Sequence, residues 1–329
     1  MLNSREEEIL KLIVEEYVKT ARPVGSNAIC DTLNVSSATI RNEMAFLEDE
    51  GLLEKTHISS GRIPSEKGYR YYVDNIMKPK ELSGEDMLKL QTVVHNSSIV
   101  LDDYIARSVE IISEMTNLTA VVLGNSSNEN KVTKIEVVPV TENNLVAIIV
   151  TDKGHVEHKN IIIEENVGTE DIRKTVDIIS KFIVGTPIDE VSSKLEFEVK
   201  PIIGNYIKQH EALYNAFYNA FTDFSHPSYT MRGAKNILMQ PEFNDVDKIR
   251  DILSKFEDKD VVNSIKETED GVNIYIGSEN EFDDDVTVIK TKYNINGEEG
   301  TIALIGPKRM EYDRVISLLD YITKNINDR

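Results

Sequence analysis

The feature that most constrains this chain is the pattern of its first 80 residues, here called the head, which predicts three short helices followed at once by a hairpin. Ser4 and Glu7 fit a capping box that opens the first helix. Ser26 is placed to cap the second helix, and Ser36 or Ser37 the third. A connection of about three residues between the second and third helices is the spacing of a helix-turn-helix motif.

The third helix has two different faces when its residues are projected at 100° each. Ile40, Met44 and Leu47 fall together and predict a buried stripe. The opposite face combines small residues with hydrogen-bonding ones, which suits close approach to a DNA groove. Its members are Ala38, Thr39, Arg41, Asn42 and Ala45. An ordinary amphipathic helix with a solvated outer face would show the same pattern, so this helix alone leaves both interpretations open.

A basic hairpin follows this helix directly. Residues 52–57 read as a strand, Ser59-Ser60-Gly61 as a turn, and Arg62-Ile63 as a returning strand. The stretch from Lys55 to Tyr72 holds four cations and one acid, so the hairpin is placed to act as a wing against phosphates or the minor groove. The nearby acids are expected to point away from DNA; they are Glu48, Asp49, Glu50 and Glu54.

These patterns predict a DNA-binding surface with two kinds of contact. Arg41 and Asn42 are expected to reach base edges. Lys55 and Arg62 in the wing are expected to bind phosphates, and so is the start of the third helix. Loss of the Arg62 side chain would then weaken binding to all sequences and flatten its salt dependence. The complete predicted set is Ser36, Ser37, Ala38, Thr39, Arg41, Asn42, Lys55, His57, Ser59, Ser60, Gly61 and Arg62.

The charge of the chain is divided unevenly. Its formal net charge is −20, of which the head carries −2 and residues 81–329 carry −18. An acidic body argues against non-specific coating of nucleic acid or membrane, but it leaves room for a small DNA-reading head.

The single cysteine, Cys30, excludes an internal disulfide, and the longest apolar run, residues 145–150, is far short of the ~20 residues that span a bilayer. We therefore expect a cytoplasmic protein that does not bind membranes.

The body predicts helices and antiparallel strands. A long helical stretch, residues 84–118, leads to a strand at 119–123, and short connections join a three-stranded meander at 134–140, 145–151 and 156–163. Helices are predicted at 169–182, 201–221, 246–256 and the C-terminus, with strands at 271–277, 286–294 and 300–305. The closing strands and helix resemble the last half of a GAF-like domain, whose first half would lie near Leu118.

An aromatic repeat lies in the predicted helix at 201–221. The sequence Tyr-Asn-Ala-Phe occurs twice in succession and places four aromatic residues on one helical stripe: Tyr214, Phe217, Tyr218 and Phe221. A helix facing the core is the simpler interpretation. A self-complementary patch at a two-fold axis is the other, because aromatic anchors are enriched at such interfaces.

The sequence offers no constellation for catalysis, and we predict neither an enzyme nor a metal or other cofactor. His155 and His158 are three residues apart on a predicted strand and would point to opposite faces. The run 283–285 of three aspartates lacks the spacing and central glycine of a calcium loop. There is also no nucleophile elbow, phosphate-binding loop or dinucleotide fingerprint.

Several segments together closely resemble the heat-inducible transcription repressor HrcA family. In the head they are Ser37-Ala38-Thr39-Ile40-Arg41-Asn42-Glu43-Met44, His57-Ile58-Ser59-Ser60-Gly61-Arg62-Ile63-Pro64 and Gly68-Tyr69-Arg70-Tyr71-Tyr72-Val73-Asp74. In the body they are Pro241-Glu242-Phe243, Ile276-Gly277-Ser278-Glu279 and Gly306-Pro307-Lys308-Arg309-Met310-Glu311-Tyr312. The matches span nearly the whole chain in the family's order.

The resemblance implies an α+β, multidomain protein. It would have a winged helix-turn-helix at residues 1–80, a GAF-like α/β domain with its connecting helix at 81–126 and 230–329, and an inserted α+β dimerisation domain at 127–229. It also implies a homodimer that represses chaperone operons by binding double-stranded DNA at the CIRCE inverted repeat, with activity supported by the GroEL chaperonin and lost on heat stress. A helix-turn-helix dimer needs half-sites about 34–36 Å apart or a multiple of that. The alternative is a repressor whose GAF-like domain senses a small molecule.

Overall fold

The computed structural model describes residues 2–55, 61–94, 101–124, 131–141, 144–152, 156–163, 168–206, 214–215, 217–219, 229–265, 269–295 and 298–327. The chain divides into two compact units, one made of residues 1–124 and 229–329 and the other of residues 125–228. Among the described residues, no helix has the length and apolar character needed to cross a bilayer. The same residues contain no cluster of three or more His, Cys, Asp or Glu side chains arranged for a metal ion.

The head has the predicted order of elements. They are α1 (Ser4–Thr20), α2 (Ser26–Leu33), α3 (Ser37–Asp49), β1 (Leu53–Lys55), β2 (Arg62–Pro64) and α4 (Glu66–Tyr71), the last followed by a π-helical turn (Tyr72–Ile76). The capping box of α1 lies one residue earlier than predicted. The Asn3 side chain accepts from the backbone N–H of Glu6 at 3.1 Å, and the Glu6 carboxylate accepts from the Asn3 N–H at 2.7 Å. An asparagine side chain accepts from the amides of the first helical turn as well as a serine side chain does. Asn3 and Glu6 therefore form the capping box in place of Ser4 and Glu7.

The stretch predicted as one helix at 84–118 forms α5 (Gly84–Val94) and α6 (Leu101–Thr116), with residues 95–100 outside the described part. Strand β3 (Thr119–Leu123) follows where it was predicted. The second compact unit then contains the predicted meander and a run of helices. Its elements are β4 (Val132–Pro139), β5 (Asn144–Thr151), β6 (Val156–Ile162), α7 (Thr169–Ile183), α8 (Ile188–Lys194) and α9 (Lys200–Tyr206).

The remaining elements return to the first unit. They are β7 (Tyr229–Arg232), α10 (Ala234–Leu238), α11 (Val246–Glu257), α12 (Lys259–Ser264), β8 (Val272–Ile276), β9 (Val286–Ile295), β10 (Glu298–Pro307) and α13 (Tyr312–Asn327). Five strands form one antiparallel sheet in the order β7-β3-β10-β9-β8. Strand β7 was not predicted, because its four residues alternate too briefly to give a period. We call this sheet and its helices, residues 101–124 and 229–327, the sheet domain.

Both faces of the five-stranded sheet are covered. Ala120, Val122 and Ile302 point to one face and join a core with α6, α13 and the head. Val121 and Ala303 point to the other and join a core with α10, α11 and α12. This alternation follows from the two-residue period of a strand.

A partly buried ion pair fastens α5 to α13. The Arg314 guanidinium donates to Asp86 at 2.8 Å, and only 10% of the Asp86 side chain is exposed. The hydrogen bond from Arg314 is the main reason that the pKa of Asp86 lies below its ordinary value. A carboxylate with a lowered pKa contributes stability above its unfolded pKa of about 3.9, and this contribution is lost as pH falls further.

The variant Asp86→Asn is therefore expected to lose roughly 1.5–3 kcal/mol of unfolding free energy at pH 7, since it replaces a charge-assisted hydrogen bond with a neutral one. The difference from the wild type should shrink as pH falls through and below about 3.9. Urea unfolding over a pH series measures it. Asp320→Asn, which alters the exposed Lys324 pair, is the control and should change little. A difference that does not vary with pH would exclude this role for the Asp86 charge.

The three-stranded sheet of the second unit has the order β4-β5-β6 and is antiparallel throughout. One face, with Leu145, Ala147 and Ile149 on the central strand, packs on α7 and the helices after it. Tyr214 and Phe217 join this core and are 3% and 0% exposed, and Tyr218 packs against it partly buried. Their burial agrees with the core-facing interpretation of the aromatic repeat and gives no support to a self-complementary patch there; Phe221 lies outside the described residues.

Candidate nucleic-acid interface

The beginning of α3 is fixed by hydroxyl groups, as predicted. Ser36 is the N-cap: its side-chain oxygen accepts from the Thr39 N–H at 3.2 Å and lies 2.9 Å from the Thr39 hydroxyl. The Ser37 hydroxyl donates to the Asn27 side-chain oxygen at 2.6 Å and lies 2.8 Å from the Ser26 hydroxyl. Ser37 therefore fastens α3 to α2, and the capped start of α3 offers a favourable position for a phosphate.

The two faces of α3 are those that the projection predicted. Ile40 and Leu47 are fully buried and Met44 nearly so. Ala38, Arg41, Asn42 and Ala45 are exposed, and Thr39 is half-buried. Among the residues that the structure describes, the Arg41 and Asn42 side chains make no hydrogen bond or ion pair within the protein. Both are available to reach a partner outside it.

Phe46 is a candidate contact that the sequence argument overlooked. It lies one helical turn after Asn42 and is 41% exposed. An apolar side chain on a groove-facing helix can contact the methyl group of thymine. The helical projection contained the signal, because residues four apart share a face.

Glu48 does not leave an unpaired negative charge beside the wing. One carboxylate oxygen of Glu48 lies 2.7 Å from both Nε and Nη2 of Arg62, and the other lies 3.6 Å from Nζ of Lys55. The side chain of Arg62 is only 9% exposed and that of Glu48 28%. The acid is thus neutralised where α3 meets the hairpin, and the ion pair joins β2 to α3.

The backbone around Arg62 is also fixed. Its N–H and C=O exchange hydrogen bonds of 2.8 Å with Val24. The segment between α1 and α2 therefore forms an antiparallel β-bridge with β2. A Cβ on Gly61 would lie 2.9 Å from the backbone of Pro23, so only glycine allows this approach. Gly61 therefore allows the hairpin to pack against Pro23.

The wing cations have different placements. Lys55, at the end of β1, has 61% of its side chain exposed. Lys67 donates to the C=O of Glu50 at 2.7 Å and so caps the end of α3, and Arg70 faces the sheet domain. Arg62 faces Glu48, so a direct phosphate contact from Arg62 stays a prediction that would require this pair to open. Residues 56–60 lie outside the described part, and with them the predicted contacts of His57, Ser59 and Ser60.

A helix-turn-helix whose third helix exposes arginine and asparagine, followed by a basic hairpin packed on that helix, defines a winged-helix DNA-binding protein. A family model described as winged helix-turn-helix transcription repressor, HrcA DNA-binding, matches residues 1–75. A second, described as HrcA protein C-terminal domain, matches residues 102–316. The chain belongs to the HrcA family of heat-inducible transcription repressors.

One curated relative and two solved structures illustrate the similarity. The heat-inducible transcription repressor HrcA of Bacillus pumilus (strain SAFR-032) is 40% identical over 335 residues, which cover 100% of this chain and 98% of the relative. A crystal structure of a hypothetical protein has a TM-score of 0.67 at 23% identity, covering 100% of this chain and 98% of that one, and shows the same fold. The IclR regulator of Thermotoga maritima reaches a TM-score of 0.22 at 13% identity, with 98% and 96% covered, which supports no conclusion.

Proposed function

We propose that this protein is a cytoplasmic homodimer that represses chaperone operons by binding the CIRCE inverted repeat. The observation that carries the proposal is the outer face of α3, where Arg41 and Asn42 are exposed opposite a fully buried stripe. Residues of these two types read guanine and adenine in the major groove. A mobility-shift titration with the inverted repeat and with a scrambled duplex tests the proposal, and equal affinity for both would refute it.

Lys55 is the wing residue best placed to touch phosphate, because most of its side chain is exposed and its bond to Glu48 is long. The variant Lys55→Ala is expected to weaken binding to operator and scrambled DNA alike. Each lost phosphate contact reduces the slope of log affinity against log salt by ~0.9, and a two-fold symmetric dimer loses two such contacts. Lys324→Ala, at the far end of the chain, is the control. An unchanged slope in Lys55→Ala would remove Lys55 from the interface.

For the dimer contact, we propose the outer face of the three-stranded sheet, pairing with a second copy of this chain. Three of the four outward residues of its central strand are apolar, namely Val146, Ile148 and Val150, and the fourth is Asn144. Such a face on an antiparallel sheet is normally polar when it meets water. Three more apolar residues flank it and are 46%, 56% and 72% exposed: Val138, Val156 and Ile162. The same face also carries Lys134, Glu136, His158 and Asn160, so it combines apolar and polar groups, as subunit interfaces do.

The double variant Val138→Glu/Ile162→Glu is expected to be monomeric, because each copy would bring buried like charges to the interface. Both positions are exposed, so the unit should still fold. Analytical ultracentrifugation measures the oligomeric state. Val246→Glu, a 70% exposed site in the other unit, is the matched control and should remain dimeric. A dimeric double variant would place the contact elsewhere.

We further propose that the GroEL chaperonin keeps the repressor active and that heat stress releases the operons when unfolded proteins occupy it. The family assignment supports this regulation. The decisive measurement is operator affinity before and after mild heating, with and without chaperonin. Recovery of affinity only with chaperonin is the expected result, and full recovery without it would refute the proposal.

Small-molecule gating through a GAF-like body has less support. Side chains of two apolar cores cover both faces of the five-stranded sheet, and these include Ile302, Leu304, Ala303 and Ile305, which are fully buried. A thermal-shift screen that found a ligand, together with no effect of chaperonin on operator affinity, would favour it over the proposal above.

A further inference from the structure

Three sequence segments of the body lie outside the proposed DNA-binding surface; two of them contact the head directly, and the third holds Arg309, which does so. They are Pro241-Glu242-Phe243, Ile276-Gly277-Ser278-Glu279 and the segment from Gly306 to Tyr312. Arg309 donates through Nη1 to the C=O of Val18, near the end of α1, at 3.0 Å. Its other nitrogens donate to Glu242 at 2.5 and 3.2 Å, so Glu242 holds the guanidinium in place.

Arg70, on α4 of the head, makes a second connection. Its guanidinium donates to both carboxylate oxygens of Glu279 and to the C=O of Ile274, and the Nε contact to Glu279 is 2.9 Å long. Burial would raise the pKa of Glu279, but the hydrogen bonds from Arg70 and a backbone amide outweigh it and leave the pKa below its ordinary value. The pair is therefore fully charged at neutral pH.

Glu66, at the start of α4, makes the third connection. Its carboxylate accepts from the N–H of Ser278 at 3.2 Å and from the Ser278 hydroxyl, and lies 3.6 Å from Nζ of Lys308. Gly277 has φ +55°, and a Cβ there would overlap the Glu66 carboxylate. A glycine at this position allows the turn to approach the head this closely.

Apolar packing fills the space between these polar connections. The rings of Tyr69 in the head and Tyr312 in the sheet domain are 6.0 Å apart, and both side chains are buried. Both belong to one continuous core that runs from α1 to α13. The head is thus held by a packed core and by charged groups, while the outer face of α3 stays exposed.

We propose that a head-docking surface, formed by Glu242, Ser278, Glu279, Lys308, Arg309 and Tyr312, fixes the angle of the winged helix on the sheet domain and thereby sharpens the repressor's discrimination between spacings of operator half-sites. The inference rests on the proposed function, in which a dimer binds an inverted repeat. In such a dimer the second head binds at an effective concentration set by its geometry, so a head that is fixed on the sheet domain narrows the range of spacings that are bound tightly. A head that was flexibly linked to the sheet domain would bind operators with several half-site spacings, each with lower affinity.

The test compares the wild type with Glu279→Arg, which would repel Arg70, and with Gly277→Ala, which would push on Glu66. Each protein is titrated against an isolated half-site, the full operator, and operators with spacers a few base pairs longer or shorter. Both variants are expected to lose at least ~10-fold in affinity for the full operator and to discriminate less between spacers, while half-site affinity changes less than ~2-fold. The swap Arg70→Glu/Glu279→Arg restores opposite charges at the two positions and should recover part of the loss relative to Glu279→Arg alone.

Lys324→Glu, an exposed charge reversal in the same unit, controls for general electrostatic effects and should match the wild type. The inference is overturned if the variants keep the wild-type spacing preference, if half-site affinity falls in parallel with operator affinity, or if operator affinity rises. A wild type that binds the inverted repeat no better than a half-site would instead refute the proposed dimeric function.

Discussion

Replacing Glu48 with alanine is expected to lower the free energy of unfolding by about 3 kcal/mol, because it removes the two short contacts between the Glu48 carboxylate and the buried Arg62 guanidinium. The value lies at the lower end of the range for broken buried pairs, since 28% of the Glu48 side chain is exposed. DNA affinity should fall as well, because this pair joins the wing strand to α3. Urea denaturation and a mobility-shift titration measure the two effects.

A double-mutant cycle isolates the pair. Arg62→Met alone should also destabilise, whereas Glu48→Ala/Arg62→Met removes both charges and should be less destabilised than Glu48→Ala alone. Asp49→Ala, an exposed acid one residue later, is the matched control and should stay within ~0.5 kcal/mol of the wild type. If the effects of the single variants simply add, Glu48 and Arg62 are not coupled and the wing is held by its backbone bonds alone.

The pair also shows where sequence reasoning stops. Local patterns were sufficient for the stripe of α3, the cap at Ser36 and the strand at β3, because helical spacing, capping and strand alternation are encoded by neighbouring residues. The partner of Glu48 lies 14 residues away and depends on how β2 packs against α3. The sequence predicted only that four acids point away from DNA, whereas the packing shows that Glu48 is paired with Arg62.

The C-terminal segments make the same point at longer range. Glu279 and Arg70 are 209 residues apart, and nothing near either residue indicates the other. The family resemblance picked out these segments without assigning a role, and their contacts with the head supply one. The aromatic repeat shows the limit of a composition argument, since Tyr214 and Phe217 are suited to an interface by type but are buried in the core.

Arg41→Ala is expected to have the largest effect on operator binding. A bidentate arginine–guanine contact is worth ~1–3 kcal/mol, and a two-fold symmetric dimer makes it twice, so the loss should be roughly 2–6 kcal/mol, or about 30-fold to 10⁴-fold in affinity. Scrambled DNA should lose far less, because phosphate contacts supply non-specific binding. Asn42→Ala should instead relax discrimination at one base pair of each half-site.

Arg41→Lys separates base reading from charge. Lysine keeps the positive charge on the same exposed face of α3, but it lacks the planar fork that matches the guanine edge. Operator affinity should therefore fall nearly as far as in Arg41→Ala, while affinity for scrambled DNA and its salt slope stay at wild-type values. If Arg41→Lys binds the operator with wild-type affinity, Arg41 contacts phosphate rather than a base. The base contacts would then be made by Asn42 and its neighbours on α3. If both Arg41 variants keep full discrimination, the exposed face of α3 does not read the operator, and the proposed recognition surface is wrong.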